Sequence, residues 1–115
     1  MATRSTIWLE KENGLEGVYA HWDGYLDNNG KILYQYYDTE DKVQNLIDGG
    51  HLSVLKETVE ETEFYNEENK IYFVDTVEDI KEFAEEYNYI FRGGEWFYYT
   101  TCGVDKPKPL APELI

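Results

Sequence analysis

The chain has 115 residues, of which 42 % are hydrophobic and 17 % aromatic, which is enough for one domain with a packed core and excludes wholesale disorder. Ten lysines and arginines against 24 aspartates and glutamates leave a net charge of −14, which argues against nucleic acid and against an anionic membrane as direct partners. The single cysteine, Cys102, excludes an internal disulfide and a multi-cysteine metal site, and we expect no metal or other cofactor. No apolar run reaches the about 18 residues of a membrane span, and no secretory signal is evident, so we expect a cytoplasmic protein.

The first half of the chain predicts a hairpin followed by two helices. Residues 5–11 are rich in β-branched and aromatic residues and predict a strand, and the turn dipeptide Asn13-Gly14 leads into a returning strand over 17–22. Apolar side chains spaced three and four residues apart predict a helix over 29–37. A second helix is expected over 40–47, behind an N-cap at a threonine or at the aspartate that precedes it.

The second half predicts two strand pairs separated by a helix. Residues 57–65 and 70–75 are interpreted as one strand pair joined by a polar turn. The best helical pattern in the chain covers 77–87, because apolar side chains recur there with the helical period. Strands over 89–92 and 95–101 are expected to meet through a two-glycine turn.

Hairpins joined by helices predict an α+β fold. We expect a single domain over residues 1–102, with an antiparallel sheet built from hairpins and about three helices packed on one face. The remaining residues, 103–115, contain all three prolines and are interpreted as a C-terminal extension outside the core. The predicted core includes Trp8, Trp22, Val77, Ile80, Phe83 and Phe97.

Acidic side chains are concentrated between Glu57 and Glu86. This stretch holds twelve carboxylates and two lysines and so contributes −10 of the net charge. On a helix over 77–87, the apolar side chains would occupy one arc and five carboxylates the neighbouring arc. A solvated face is the ordinary explanation of a charge run, whereas the scarcity of lysine partners favours recognition of a basic surface. The candidate partner-binding residues are Glu60, Glu61, Glu63, Glu67, Glu68, Glu78, Asp79, Glu82, Glu85 and Glu86.

The pentapeptide HWDGY at residues 21–25 places an imidazole, a carboxylate and two aromatic rings at a strand end. Two residues apart on a strand, the imidazole and the carboxylate would share a face, which suits a metal or an acid–base pair. The possible ligand site consists of His21, Asp23, Tyr25 and Asp27. The alternative is a structural turn, since one imidazole with scattered carboxylates falls short of a zinc site. No residue is assigned a catalytic role.

Several of these residues carry a resemblance to a known group of proteins. The start MATRSTI at residues 1–7, the HWDGY block, Asn29-Gly30, Leu33 and Tyr37 resemble a family of small uncharacterised proteins carried by bacteriophages, prophages and plasmids. The likeness covers the first 55 residues and returns near 87–96. The resemblance implies a mobile-element protein in a bacterial cytoplasm, and it implies no catalytic residue.

The charge and the resemblance together predict an acidic phage or mobile-element protein that binds a host protein with a basic surface. It would inhibit or modulate that protein by mimicking nucleic acid, as anti-CRISPR and anti-restriction proteins do, with its carboxylates pairing with phosphate-binding Arg and Lys. One alternative is a small enzyme, or a ligand- or metal-binding protein, with a pocket at His21, Asp23 and Tyr25. Another is an oligomeric accessory protein built on the faces of the eleven tyrosines. The oligomeric state is left open.

Overall fold

Eight strands form one mixed sheet in the computed structural model, which describes residues 3–65, 71–101 and 107–114. In chain order the strands are β1 (Ser5–Lys11), β2 (Gly14–Ala20), β3 (Leu52–Val54), β4 (Glu63–Phe64), β5 (Tyr72–Val74), β6 (Tyr87–Arg92), β7 (Glu95–Thr100) and β8 (Lys108–Pro109). Their order across the sheet is β4-β3-β2-β1-β6-β7-β8, and β5 also pairs with β2. With the helices described next, the architecture confirms the α+β class.

The helical segments are short. They are a π-helical turn (Leu26–Gly30), α1 (Lys31–Tyr36), α2 (Glu40–Asp48) and two 3-10 helices (Val77–Glu82 and Ala111–Leu114). The predicted N-cap of α2 is confirmed, because the Thr39 hydroxyl accepts the backbone N–H of Lys42 at 3.3 Å. None of the helices within the described ranges is long and apolar enough to cross a membrane.

Strand β1 lies at the centre of the sheet and explains why the sheet is mixed. It pairs antiparallel with β2 over its whole length and parallel with β6, with Ser5 opposite Tyr87 and Leu9 opposite Phe91. Both predicted hairpins, β1–β2 and β6–β7, are present. The sheet is nevertheless not all antiparallel, because turn signals within each hairpin do not determine how two hairpins meet.

Helices cover both faces of the sheet rather than one. On the α face, which α1 and α2 cover, the strand residues Ile7, Leu9 and Val18 form one core with Leu33, Leu46 and Ile47. On the 3-10 face, Trp8, Leu15 and Ile90 form a second core with Ile80 of the helix Val77–Glu82. Alternate residues of β1 therefore point into different cores, as the two-residue period of a strand requires.

Trp8 is the centre of the core on the 3-10 face and is fully buried. Its indole N–H donates to the Thr6 hydroxyl at 2.8 Å, and that hydroxyl donates to the side-chain oxygen of Asn88 at 2.6 Å. The indole covers Gly17 of the neighbouring strand, where a Cβ atom would lie 2.3 Å from the ring. A bulky ring and a glycine thus fit together across β1 and β2, and hydrogen bonds fix the ring.

The helix predicted over 77–87 is wrong beyond Glu82, where the 3-10 helix ends. The Asn88 side chain accepts the backbone N–H of Glu85 at 2.9 Å and donates to the carbonyl of the same residue at 2.9 Å. The backbone N–H of Tyr87 donates to the carbonyl of Arg4 at 3.3 Å as β6 begins. These bonds take the backbone groups that a continued helix would use, so residues 85–87 run into the sheet.

The strand pair predicted over 57–65 and 70–75 is also wrong in its pairing. Strand β4 pairs with β3, whereas β5 pairs with β2. Between the points where β3 and β5 contact β2, the backbone N–H of Tyr19 donates to Nδ1 of His51 at 2.9 Å. A side chain therefore replaces the missing strand partner at that position.

The C-terminal residues contribute to the core, contrary to the expected extension. Strand β8 pairs with β7, and Leu110 behind it is fully buried in the core of the α face. The backbone N–H of Leu110 donates to the carbonyl of Trp96 at 3.0 Å. Of the predicted core residues, Trp8 and Ile80 are confirmed as fully buried, Val77, Phe83 and Phe97 are half-buried, and Trp22 is wrong because it is 43 % exposed.

Candidate functional site

Hydrogen bonds from several sides hold the backbone of the HWDGY block. Asp23 has a φ of 55°, in the left-handed region, and its carbonyl accepts the backbone N–H of Asn29 at 3.2 Å. Gly24 donates its N–H to the carbonyl of Thr3 at 2.8 Å, and its carbonyl accepts the buried Tyr89 hydroxyl at 2.6 Å. The Tyr89 hydroxyl thus fixes the position of the HWDGY block relative to β6.

The side chains of the possible ligand site differ in their contacts and in their exposure. Nδ1 of His21 shares a 2.6 Å hydrogen bond with the Tyr19 hydroxyl, and the imidazole meets Trp22 edge-on at 4.7 Å. Burial raises the pKa of Tyr19 above its ordinary value, so the phenol is protonated at neutral pH. Tyr25 and Asp27 are exposed. Across the part of the chain that the structure describes, no group of three or more His, Cys, Asp or Glu side chains is placed to hold a metal.

The acidic stretch is divided between the two faces of the sheet. The segment that follows β3 packs on the α face through Val59 and Phe64, and the 3-10 helix Val77–Glu82 packs on the opposite face through Ile80. The first group, the α-side carboxylates, is Glu57, Glu60 and Glu61, whereas Glu63 is an exposed residue of β4 beside Phe64. The second group, the 3-10-side carboxylates, is Glu78, Asp79, Glu82, Glu85 and Glu86. The remaining candidates, Glu67 and Glu68, lie outside the described residues.

Among the residues that the structure describes, these carboxylates form no ion pair with a lysine or arginine. Within the described ranges three ion pairs form, Lys11 with Glu16, Lys42 with Asp38 and Arg92 with Glu10. No member of either acidic group takes part in them. Glu57, Glu60, Glu61, Glu63, Glu78, Glu82 and Glu86 are exposed, while Asp79 and Glu85 are half-buried. The acidic groups are therefore available to a cationic partner.

An open groove, which we name the acidic groove, runs between α1 and residues 54–61. It consists of two adjoining depressions of about 550 and 370 Å³ that share Glu57 in their walls. The larger is lined by Tyr36 and by Glu60, and the smaller by Asp23 and Glu61. The structure thus brings one carboxylate of the HWDGY block together with three carboxylates of the acidic stretch.

Hydrogen bonds fix the wall of the acidic groove. The Glu61 carboxylate accepts the Thr58 hydroxyl at 3.1 Å, and the Thr58 hydroxyl in turn accepts the backbone N–H of Glu61 at 3.2 Å. The Thr62 hydroxyl donates to the carbonyl of Thr58 at 2.9 Å and accepts the N–H of Lys56 at 3.0 Å. The Tyr37 hydroxyl donates to the carbonyl of Lys56 at 2.9 Å, which ties the wall to α1. The carboxylates are consequently displayed on an ordered loop.

Helix α1 displays one aromatic ring, that of Tyr36, beside these carboxylates. Tyr36 is 41 % exposed, and the negative charge of Glu57, together with a hydrogen bond to it, raises the pKa of the Tyr36 phenol. Tyr34 is 46 % exposed on the same helix and lines a separate depression with Asp38 and Trp96. Sequence reasoning did not select Tyr36 or Glu57 as site residues. The acidic run pointed to Glu57, but its contact with α1 depends on tertiary packing.

Comparison with known proteins identifies no relative. No protein-family model matches the chain, and no curated protein and no solved structure matches it significantly. The resemblance to mobile-element proteins is therefore an inference from the residues alone. The geometry and charge of the surface carry the functional argument.

Proposed function

We propose that this protein binds a host protein through exposed carboxylates that pair with a basic, nucleic-acid-binding surface. In this proposal it is a phage or mobile-element protein acting in the bacterial cytoplasm. By occupying arginines and lysines that otherwise contact phosphates, it inhibits or modulates its host target. It requires neither a cofactor nor a catalytic residue.

The observation that carries the proposal is the set of exposed carboxylates that form no ion pair with any cation in residues 3–65, 71–101 and 107–114. Like charges held close together on a folded surface repel one another and reduce stability. Solubilising surfaces usually intersperse lysine among glutamates, and in residues 57–86 the structure describes only Lys81 as a cation against ten carboxylates. A cationic partner would relieve this repulsion and would gain charge-assisted hydrogen bonds.

The division of the carboxylates between two faces limits how many of them can contact the partner at once. A flat basic surface can contact one face at a time, while the charge on the other face still contributes to long-range attraction. We therefore expect one acidic group to form the contact and both groups to raise the association rate. We expect the α-side group to form the contact, because it borders a groove.

Affinity capture from a bacterial lysate, followed by elution with increasing salt and with duplex DNA, tests the proposal. The matched control replaces six exposed glutamates, Glu57, Glu60, Glu61, Glu78, Glu82 and Glu86, with glutamine, which preserves shape. We expect the wild-type protein to retain a host nucleic-acid-binding protein that duplex DNA displaces, and we expect the control to release it at low salt. Retention of the same proteins by both, unaffected by DNA, would contradict the proposal.

A further inference from the structure

We infer that the acidic groove is the site where an arginine-containing segment of the partner docks. The inference rests on the proposed function and narrows it to one occupant and one face. Three properties of the groove support arginine: its charge, its apolar floor and an exposed aromatic ring.

The charge of the groove is complementary to a guanidinium. Asp23, Glu57, Glu60 and Glu61 line its two depressions, against Lys42 and Lys56. Lys42 is already engaged by Asp38, which lies 3.1 Å from it. Carboxylates are thus in excess along the groove, and a planar guanidinium can donate two parallel N–H bonds to the oxygens of one carboxylate.

The floor of the groove suits the aliphatic part of an arginine. Val59 lines the larger depression and Ile32 the smaller, and both are half-buried against the core of the α face. Long cationic side chains place their methylene groups on such apolar surfaces while the charged end reaches polar groups at the rim.

Tyr36 distinguishes arginine from lysine. Its exposed ring stands in the wall of the larger depression beside Glu57. A guanidinium can stack on a tyrosine ring and bond to an adjacent carboxylate at the same time, whereas an ammonium is a compact and strongly hydrated charge. Because the ring and the carboxylate are already placed by α1 and by the ordered loop, little conformational freedom is lost on binding.

Another depression has the same balance of four carboxylates and two cations, but it lacks the aromatic ring. It lies at the end of the sheet beside Glu78, Glu10 and Glu12, with a volume of about 650 Å³. Its lining includes Arg92 and Lys11, each paired with a glutamate, and it contains no aromatic side chain among the residues described. The acidic groove is therefore the better site for arginine.

Titration with two seven-residue peptides tests the inference. One peptide carries three arginines separated by Gly-Ser, and the other carries lysines at the same positions. Amide chemical shifts of the labelled full-length protein report where each peptide binds, and calorimetry reports the affinity. We expect the arginine peptide to shift resonances of α1 and residues 54–61 and to bind more tightly than the lysine peptide.

Two matched pairs of variants separate the groove from net charge. The groove variant Glu57→Gln, Glu60→Gln, Glu61→Gln removes three charges, and Glu78→Gln, Glu82→Gln, Glu86→Gln removes three from the opposite face. We expect the groove variant to weaken the arginine peptide about tenfold or more and the other variant less than about threefold. Tyr36→Leu should abolish the preference for arginine over lysine, and Tyr34→Leu on the same helix should keep it.

The outcomes distinguish the inference from the proposed function. Equal weakening by the two charge variants, or shifts confined to the 3-10 helix Val77–Glu82, would overturn the groove while leaving an acidic binding protein. A wild-type arginine preference that survives Tyr36→Leu would also overturn the arginine assignment. Absence of peptide binding at low salt, or binding that neither charge variant weakens, would contradict the proposed function as well.

Discussion

Replacing Gly17 with alanine probes the packing that holds β1 against β2. The added Cβ atom would lie 2.3, 2.4 and 2.6 Å from three ring atoms of Trp8. Reaching even the shortest ordinary contact of 3.4 Å from 2.3 Å requires a shift of about 1.1 Å. The ring cannot move freely, because its N–H is bonded to Thr6 and Thr6 is bonded to Asn88.

Overpacking a fixed core costs about 1–3 kcal/mol, and we expect Gly17→Ala to reach about 3 kcal/mol. With a urea dependence of about 1–3 kcal/mol per molar, the unfolding midpoint should fall by about 1–3 M. Gly30→Ala is the control, since its Cβ would lie 3.3 Å from Tyr89 and its φ is −58°. Both substitutions restrict the unfolded chain equally. Equal urea midpoints for the two variants would refute the assigned packing.

Three further predictions concern the HWDGY block, the C-terminal residues and alkaline pH. Asp23→Gly should raise the free energy of unfolding by up to about 1 kcal/mol, because glycine accepts a φ of 55° without strain. A lower free energy of unfolding in urea would contradict this. Leu110→Ala should lower the free energy of unfolding by about 2–5 kcal/mol, whereas Pro112→Ala, at an exposed position, should not. Equal melting temperatures for these two variants would refute the docking of the C-terminal residues. Burial raises the pKa of Tyr89, and the pKa values of Tyr37 and Tyr72 are raised too. Their unfolded forms release protons first, so stability to urea should fall as the pH rises above about 10, and an unchanged midpoint up to pH 11.5 would argue against their burial.

Local signals predicted the parts of the fold that local interactions form. The N-cap of α2 is a local interaction, in which the Thr39 hydroxyl accepts the backbone N–H of Lys42, three residues later. The turn between β6 and β7 needed two residues with positive φ, and Gly93 and Gly94 have φ values of 59° and 86°. These features follow from the conformational preferences of a few consecutive residues.

The features of the fold that the sequence did not predict depend on contacts between residues far apart in the chain. The helical pattern over 77–87 did not form a helix to its end, because the Asn88 side chain accepts the backbone N–H of Glu85. The same side chain accepts the hydroxyl of Thr6, which is far away in the chain. The parallel pairing of β1 with β6 likewise depends on how two hairpins meet. Tertiary partners of this kind leave no periodic signal.

The candidate site was predictable in its chemistry but not in its arrangement. The acidic run was visible as charge, and the HWDGY block as an unusual combination of side chains. That Asp23 and Glu61 line one depression, and that Glu78 lies on the opposite side of the sheet, follows from the path of the folded chain. The role of Tyr36 required the packing of residues 54–61 beside α1.

The association rate constant of the captured host protein, measured across a salt series, tests the central proposal most directly. The wild-type protein is compared with the six-glutamine control. Electrostatic steering accelerates association far above about 10⁶ M⁻¹s⁻¹ at low salt, and screening shortens its range from about 10 Å at 0.1 M salt to about 3 Å at 1 M. We predict a wild-type rate constant that falls steeply with salt and a control rate constant that is lower at low salt and falls less steeply. Equal rate constants for the two proteins at every salt concentration would contradict the proposal that exposed carboxylates bind a basic surface.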